Sequence, residues 1–459
     1  MHSFNELREE YRAFNFTHYE KSFEDGLLKV IYHYEIIGLE NFETKWTFKV
    51  GSHKSSEVLD DEILDRFIFS LGMAEAISYY KCACPKKLFV ECGALDEWQI
   101  KWWRKLFYNG LGEFLYVNNI EVSEDDLVVI RANEPAGDEV NSSSDDQHVK
   151  GITPIKDEGI YEGTLVPVGG GKDSVVSLES LKGEKIIPYL LNPLEASKKC
   201  VEVCDHCEEP IEAKRVLDKK IIEMNQKGYL NGHIPFSAVL AFSTVISAYL
   251  NGIKYIALSN ESSANESTVK GSKVNHQYSK SFEFEQDFRE YIAHMVETPI
   301  SYFSLLRPLS ELQIAYIFSK QKRYHKVFRS CNAGSKKGIW CCNCPKCLFV
   351  YIILSPFLSV EELRDIFSED LFDKESLETY FRQLSDIDEV KPFECVGTRS
   401  EVLASLGAFI KKGGHSYLTD KYCDQIEGRE DIEGILTGWN DENNVPLFMA
   451  DKVRDMLRD

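Results

Sequence analysis

The chain has 459 residues, 43% of them apolar, and a net charge of -21 at pH 7. This length allows two or three domains with a sizeable core, and the charge argues against a nucleic-acid partner, because phosphate backbones are bound through Lys and Arg. The polar N-terminus is not typical of a signal peptide, and the longest uncharged run, 234–253, is too polar for a bilayer span. We therefore expect a cytoplasmic protein without a membrane partner.

The first 131 residues predict a small α+β domain. Apolar residues alternate with polar ones over 28–36 and 42–50, which predicts two neighbouring antiparallel strands. A helical pattern follows from Ile63 to Ala74, and Asp96 is expected to cap a second helix. Residues 132–150 are rich in serine and acidic side chains, so they predict a linker.

Residues 151–357 predict an α/β domain in which strands alternate with helices. The expected strands are 165–168, 186–191 and 255–258, with an amphipathic helix over 211–224 and a buried helix after Pro235. This order favours a parallel sheet with helices on both faces. Residues 358–459 are expected to form a mostly helical C-terminal region.

A glycine loop joins the first of these strands to a helix. It consists of Gly169, Gly170, Gly171, Lys172, Asp173 and Ser174. Glycines let backbone N–H groups approach a ligand, and the helix that follows begins with a partial positive charge, so the loop favours phosphate binding. It is not the G-x-x-x-x-G-K-[ST] type, since no glycine lies at the required upstream position. An ordinary turn between strand and helix stays open.

Two polar segments are expected at the same edge of the sheet. Residues 259–266 follow the strand at 255–258 and contain Glu261, and residues 274–281 contain His276 and Lys280. Because ligands of parallel sheets bind beyond the carboxyl ends of the strands, both segments are candidates for the site.

The cysteines predict one metal site. Cys331, Cys341, Cys344 and Cys347 have the spacing of a closed, structural four-thiolate zinc site. Adjacent thiols seldom bind one ion, so Cys342 is expected to be the spare. A redox pair is the alternative. A second group lacks a fourth ligand nearby and is expected to bind no metal: Cys200, Cys204 and Cys207.

The glycine loop resembles the S-G-G-x-D-S loop of the ATP pyrophosphatase (PP-loop) family, with Gly169 in place of the first serine. With residues 231–235, 259–266, 275–281 and 391–401 and the cysteine hairpin, the chain resembles the ATP-dependent UDP-N-acetylmuramoyl-L-alanyl-L-glutamate epimerase family. The resemblance implies that ATP adenylates the terminal glutamate of this small-molecule substrate, which is then inverted during peptidoglycan precursor synthesis, with release of AMP and diphosphate.

The same resemblance implies roles for individual residues. The loop from Gly169 to Ser174 would bind ATP, Asp173 and Glu261 would hold magnesium, and His276 and Lys280 would transfer the proton. Two other classes of function stay open. One is a PP-loop amide, nitrile or thio-transfer enzyme, since the cysteine hairpin is also similar to that of 7-cyano-7-deazaguanine synthase. The other is a non-catalytic nucleotide-binding regulator.

Overall fold

The computed structural model describes residues 2–52, 54, 61–134, 153–155, 161–265, 277–388, 390–394, 396–426 and 428–458. Within these ranges the strands are, in chain order, β1 (Ala13–Glu24), β2 (Leu27–Ile36), β3 (Glu40–Lys49), β4 (Lys87–Ala94), β5 (Val129–Asn133), β6 (Thr153–Pro154), β7 (Thr164–Pro167), β8 (Ile186–Leu191), β9 (Ile211–Leu217), β10 (Tyr255–Leu258), β11 (Val296–Glu297) and β12 (Ser301–Ser304). The helices are α1 (Phe4–Glu10), α2 (Glu62–Tyr80), α3 (Glu97–Gly110), α4 (Gly112–Val117), α5 (Glu124–Leu127), α6 (Lys172–Ser180), α7 (Glu195–Val203), α8 (Lys220–Gln226), α9 (Phe236–Asn251), α10 (Phe282–Met295), α11 (Glu311–Ser319), α12 (Pro345–Leu354), α13 (Val360–Phe367), α14 (Glu378–Leu384), α15 (Arg399–Lys411), α16 (Tyr417–Lys421), α17 (Cys423–Ile426), α18 (Ile432–Leu436) and α19 (Leu447–Arg458).

The chain forms two compact units. The first comprises residues 1–162, 212–254 and 283–301, and the second comprises 163–211, 255–282 and 302–459. The segment predicted as one central domain, 151–357, is therefore shared between the units, whereas the predicted C-terminal region belongs to the second unit alone. Most of the predicted linker, 132–150, lies outside the described residues. The predicted domain boundaries stay predictions.

The first unit contains a sheet with the strand order β9-β3-β2-β1-β4-β5. Strands β1, β2 and β3 form an antiparallel meander, in which Leu28 of β2 lies opposite Phe48 of β3. The strands β4 and β5 extend it in parallel. Buried side chains alternate along β2 and β3 as the sequence pattern requires, so the prediction of two neighbouring antiparallel strands is confirmed.

Two helices of the first unit form where the sequence predicts them. Asp96 caps α3: its carboxylate accepts the Gln99 N–H at 2.8 Å, and the Gln99 side chain accepts the Asp96 N–H at 3.1 Å. The uncharged run at 234–253 forms the buried helix α9. Within the described ranges, no helix combines the length and the apolar character needed to cross a membrane.

The predicted helix over 211–224 is wrong. Residues 211–217 form strand β9, and α8 begins only at Lys220. Along β9 the side chains of Ile211 and Ala213 are buried, while those of Glu212 and Lys214 are exposed. This two-residue period places one face of the strand against the core, and it outweighed the helix-like charge pattern.

The second unit contains a sheet with the strand order β12-β10-β7-β8, in which β7 pairs in parallel with β10 and with β8. Helices flank this sheet, and residues from 360 onward are mostly helical. The α/β class, the antiparallel N-terminal region and the helical C-terminal region are thus confirmed. The core of this unit joins the sheet to α11 and α12, both of which are almost wholly buried.

Candidate functional site

The glycine loop lies where β7 ends and α6 begins. Gly170 has a φ of +87°, and a Cβ on it would lie 2.6 Å from the backbone nitrogen of Ser197, so this position requires glycine. Gly171 is the N-cap of α6 and makes no side-chain capping bond to the described part of the chain. The first-turn N–H groups and the positive helix end therefore suit an anionic ligand such as phosphate.

Lys172 is the first residue of α6 and is only 1% exposed. Its ammonium group donates hydrogen bonds to the carboxylates of Asp173 and Glu311. Burial opposes the charged form, but these two carboxylates outweigh it and raise the pKa of Lys172. The lysine is a fixed positive charge beside the glycine loop.

Three carboxylates, those of Asp173, Glu261 and Glu311, interact with this charge, and a fourth, that of Glu401, lies near Glu311. Burial raises the pKa of Glu311 to about 7, and it also raises the pKa values of Glu261 and Glu401. At Asp173 burial acts in the same direction, but the charge of Lys172 outweighs it and lowers the pKa. Glu401 is held by the N–H and hydroxyl of Thr398, at 2.6 and 2.8 Å.

Two further lysines belong to the same cluster. The charges of Lys346 and Lys280 both lower the pKa of Asp173, and that of Lys280 opposes the rise at Glu261. Lys346 lies in the first turn of α12, between Cys344 and Cys347 of the cysteine hairpin. The cluster thus brings several carboxylate oxygens together, and such oxygens are ligands that a divalent cation such as magnesium accepts.

Arg307 fixes the backbone beneath two of the predicted site residues. It is fully buried, and its guanidinium donates to the carbonyl of Glu261 at 2.6 Å and to that of Lys280 at 2.5 Å. The Ser263 hydroxyl donates to the Glu261 carboxylate at 3.3 Å. These bonds pre-organise the segment at the carboxyl end of β10.

The four predicted zinc cysteines lie together. Their Sγ atoms are all within 4.8 Å of one another, with 3.8 Å between Cys341 and Cys347 and 3.5 Å between Cys344 and Cys347. A tetrahedral zinc ion with Zn–S bonds of about 2.3 Å requires separations of about 3.8 Å. The Cys331 Sγ also accepts the N–H groups of Gly334 and Cys341, at 3.1 and 3.3 Å. The donor set and its spacing fit zinc.

Cys342 is not part of this group. Its thiol donates to the carbonyl of Phe367 at 3.0 Å, and burial raises its pKa to about 12. Cys204 and Cys207, which were expected to bind no metal, form a disulfide.

The structure brings Lys172, Asp173, Glu261 and Lys280 into one cluster, whereas His276 lies outside the described residues. Sequence reasoning gave no role to Glu311 or Lys346. Glu311 follows Ser310, which caps α11 in a capping box with Gln313. This pattern predicts an ordinary helix start with an exposed acid, yet Glu311 is 2% exposed. Its role depends on tertiary packing that no local pattern encodes.

Two family models match the chain: the MurL N-terminal domain over residues 5–305 and the MurL C-terminal domain over residues 327–421. The chain is also similar to three proteins named UDP-N-acetyl-alpha-D-muramoyl-L-alanyl-L-glutamate epimerase. That of Micromonospora sp. is 32% identical over 88% of both chains, and that of Xanthomonas oryzae pv. oryzae is 33% identical over 84% of both. That of Salinispora tropica is 31% identical over 89% of this chain and 87% of its own. No solved structure matched.

Proposed function

Because this chain belongs to the MurL family, we propose that it is an isomerase that inverts the terminal glutamate of UDP-N-acetylmuramoyl-L-alanyl-L-glutamate in peptidoglycan precursor synthesis. The proposal is supported by relatives with this name that match more than four fifths of the chain. The observation that carries its chemistry is the buried Lys172 at the glycine loop, surrounded by carboxylates.

Inversion of an amino acid next to a free carboxylate faces an electrostatic barrier. Removal of the α-proton would place a second negative charge beside the first. We propose that ATP removes this barrier: a carboxylate oxygen forms a bond to the α-phosphorus, the bond from that phosphorus to the bridging oxygen breaks, and diphosphate leaves. The acyl-adenylate carries no charge on its carbonyl group, so its α-proton is more acidic. Water then releases AMP and the product.

Each part of the cluster has a role in this scheme. The N–H groups of the glycine loop and the ammonium of Lys172 receive the diphosphate, and Glu311 holds that ammonium in place. Asp173 and Glu261 would hold magnesium, which when bound neutralises phosphate charge. The carboxylate oxygens of these two residues are the kind of ligand that magnesium prefers, which supports a cation here.

Lys280 is our candidate for one proton-transfer group, since its charge lies among the carboxylates and its backbone is fixed by Arg307. His276 stays a prediction for the other. Two groups on opposite faces of the α-carbon are needed, because one removes the proton and the other returns it.

The proposed zinc ion has a structural role, because it would fix the position of Lys346. We propose that Cys331, Cys341, Cys344 and Cys347 hold it as a closed structural site. Two of these cysteines flank Lys346 in the chain, so the ion would fix the start of α12 and with it the position of that lysine's charge.

The decisive experiment incubates the protein with ATP and the UDP-muramoyl dipeptide in heavy water. We expect AMP, diphosphate and D-glutamyl product with deuterium at the α-position, from chiral analysis and mass spectrometry of the hydrolysed glutamate. Unchanged L-glutamate would refute the epimerase assignment. ADP and phosphate beside D-glutamate would refute the adenylate route alone.

A pair of lysine variants separates the two half-reactions. Lys280→Ala should slow epimerisation by roughly a hundred- to ten-thousand-fold, while diphosphate–ATP exchange, which reports adenylation, should fall far less. Lys411→Ala, at an exposed position of α15, is the control. Equal loss of both activities in Lys280→Ala would place Lys280 in nucleotide binding.

A further inference from the structure

The outward face of the β1–β2–β3 meander carries a second group of metal-binding side chains. His18 of β1 and His33 of β2 lie opposite each other, with ring centroids 4.2 Å apart and ring planes 7° from parallel. Glu43 of β3 lies opposite His33, and Glu20 lies two residues after His18 on the same face. Three strands thus present two imidazoles and two carboxylates to one another.

A β-bulge places His18 on this face. The pairing of β1 with β2 shifts between Phe16 and His18, so Thr17 is the extra residue. Phe16 is buried, and a regular strand would turn His18 to the same inner side. With the bulge, His18 is instead 56% exposed and stacks on His33. The bulge therefore brings the two histidines together. A strict two-residue alternation of the sequence would not predict this placement.

The distances within the group suit one metal ion. The same Glu20 oxygen lies 3.5 Å from His33 Nε2 and 3.7 Å from His18 Nε2, and one ligand atom of each residue lies within 4.8 Å of the others. An ion with bonds of about 2.1 Å requires ligand atoms about 3.4 Å apart in tetrahedral geometry. His33 Nε2 is buried and makes no hydrogen bond to any described residue. A bound ion would satisfy it.

The surroundings supply access and support. A cavity of about 410 Å³ lies over the group, bounded by the two histidines and by residues that include Asn41, Glu43 and Lys220. Glu43 lies 3.8 Å from His33 Nδ1, on the side of the ring away from Glu20. A carboxylate in that position orients a metal-bound imidazole. The nearby Lys220 donates to Glu40 and to the Asn41 carbonyl, at 2.9 and 2.8 Å, so its charge is paired.

We propose that His18, Glu20 and His33 bind one divalent transition-metal ion of the zinc class, with Glu43 orienting His33. Imidazole nitrogens favour such ions over magnesium and calcium. Three protein ligands leave a fourth position open to water or to a ligand in the cavity. The ion would also tie β1 to β2 across the bulge.

In the test, the cysteine group of the full-length protein is first loaded with zinc. The protein is then titrated with zinc chloride in a calorimeter. We expect one further ion per chain. Glu43→Gln should lower the affinity for this ion roughly ten- to a hundredfold. His18→Ala should lower the affinity further, because it removes a ligand. Because His18 is exposed, its replacement should leave the circular dichroism spectrum and the melting temperature of the metal-free protein unchanged.

Three control variants should bind the further ion as the wild type does. Glu35→Gln removes a carboxylate from the outward face of β2, two residues from His33. His415→Ala removes an exposed histidine that also faces a carboxylate, that of Asp420. Cys344→Ser alters the cysteine group alone.

Copper gives an independent readout. Electron paramagnetic resonance of one equivalent of Cu²⁺ should show two coordinated imidazole nitrogens in the wild type and one in His18→Ala. A wild type that takes up no further zinc would overturn the proposal. So would a His18→Ala variant that binds zinc with wild-type affinity and keeps two imidazole nitrogens in the copper spectrum.

Discussion

Each compact unit buries a group of charges, and the two groups differ in how completely those charges are paired. In the first unit Glu75 is fully buried and accepts hydrogen bonds from Trp46 at 2.7 Å and twice from Arg215 at 2.6 Å. In the second unit burial raises the pKa values of three carboxyl groups: Glu261, Glu311 (to about 7) and Glu401.

The difference separates a structural from a functional use of buried charge. A carboxylate whose oxygens are all paired strengthens one packing arrangement, and its loss removes hydrogen bonds from a buried guanidinium. Buried carboxyl groups with raised pKa values cost stability when they are charged, and binding of a cation relieves that cost. We therefore expect substitutions in the two groups to affect different quantities.

The largest expected effect is on catalysis in the second unit. Asp173→Asn should lower kcat by on the order of 10³-fold, since it removes a carboxylate proposed to hold magnesium. The melting temperature of the metal-free protein should fall much less than turnover, because the buried Lys172 keeps Glu311 as its second carboxylate partner. Asp420→Asn, at an exposed site of the same unit, is the control. Wild-type turnover in Asp173→Asn would remove this residue from the mechanism.

The next effect is on stability in the first unit. Glu75→Gln removes the carboxylate charge that accepts two hydrogen bonds from the buried Arg215, so the free energy of unfolding should fall by about 3 kcal/mol. Urea unfolding followed by circular dichroism measures it, with the exposed Glu91→Gln as the matched control. A loss below about 1 kcal/mol would mean that Glu75 and Arg215 are not the stabilising pair described above.

Substitutions in the cysteine group should affect catalysis in the second unit indirectly. Cys344→Ser should lower the zinc content from one ion per chain toward zero and reduce kcat by roughly tenfold, because Lys346 would no longer be fixed beside the carboxylates. Cys342→Ser should keep both values, since Cys342 contacts Phe367 instead. Metal analysis and turnover of the two variants decide the point. Full zinc content in Cys344→Ser would exclude it as a ligand.

The smallest effect is a pH dependence. The Glu311 carboxyl has a pKa of about 7 in the folded protein and an ordinary value of 4.5. The folded state therefore binds more protons between these values, and the free energy of unfolding from this group falls as pH rises through that window. Glu311→Gln should remove this slope, which is at most about 1.4 kcal/mol per pH unit. Urea titrations of metal-free protein at pH 5, 6 and 7 measure it, with Glu361→Gln as the control.

Much of the fold follows from local patterns. Two-residue alternation predicted β2 and β3, the Asp96 cap predicted the start of α3, and the apolar run predicted the buried helix α9. The failure at 211–217 is instructive, because Lys and Glu on the outer face of a strand produce a charge pattern that an amphipathic helix also has. Only the pairing of that segment with β3 decides between them.

The site was predictable where function needs a local backbone shape. A glycine loop before a helix is visible in sequence because its conformation excludes other residues, and cysteine spacing is visible because zinc geometry restricts it. Glu311 and Lys346 were not predictable in this way. Their charges matter because segments distant in sequence are buried together. The local sequence at the start of a helix, or between two cysteines, does not indicate such burial.

The three consecutive glycines of the loop also determine which codon changes this gene can tolerate. A Cβ on Gly169 meets no described atom within 4 Å, so serine, the residue at this place in the similar PP-loop pattern, would fit. At Gly171 a Cβ would press on the movable Ser330 hydroxyl, 2.8 Å away, whereas Gly170 is barred by both its φ and the backbone of α7. Among related genes we therefore expect substitutions to be common at the position of Gly169, limited at that of Gly171 and absent at that of Gly170.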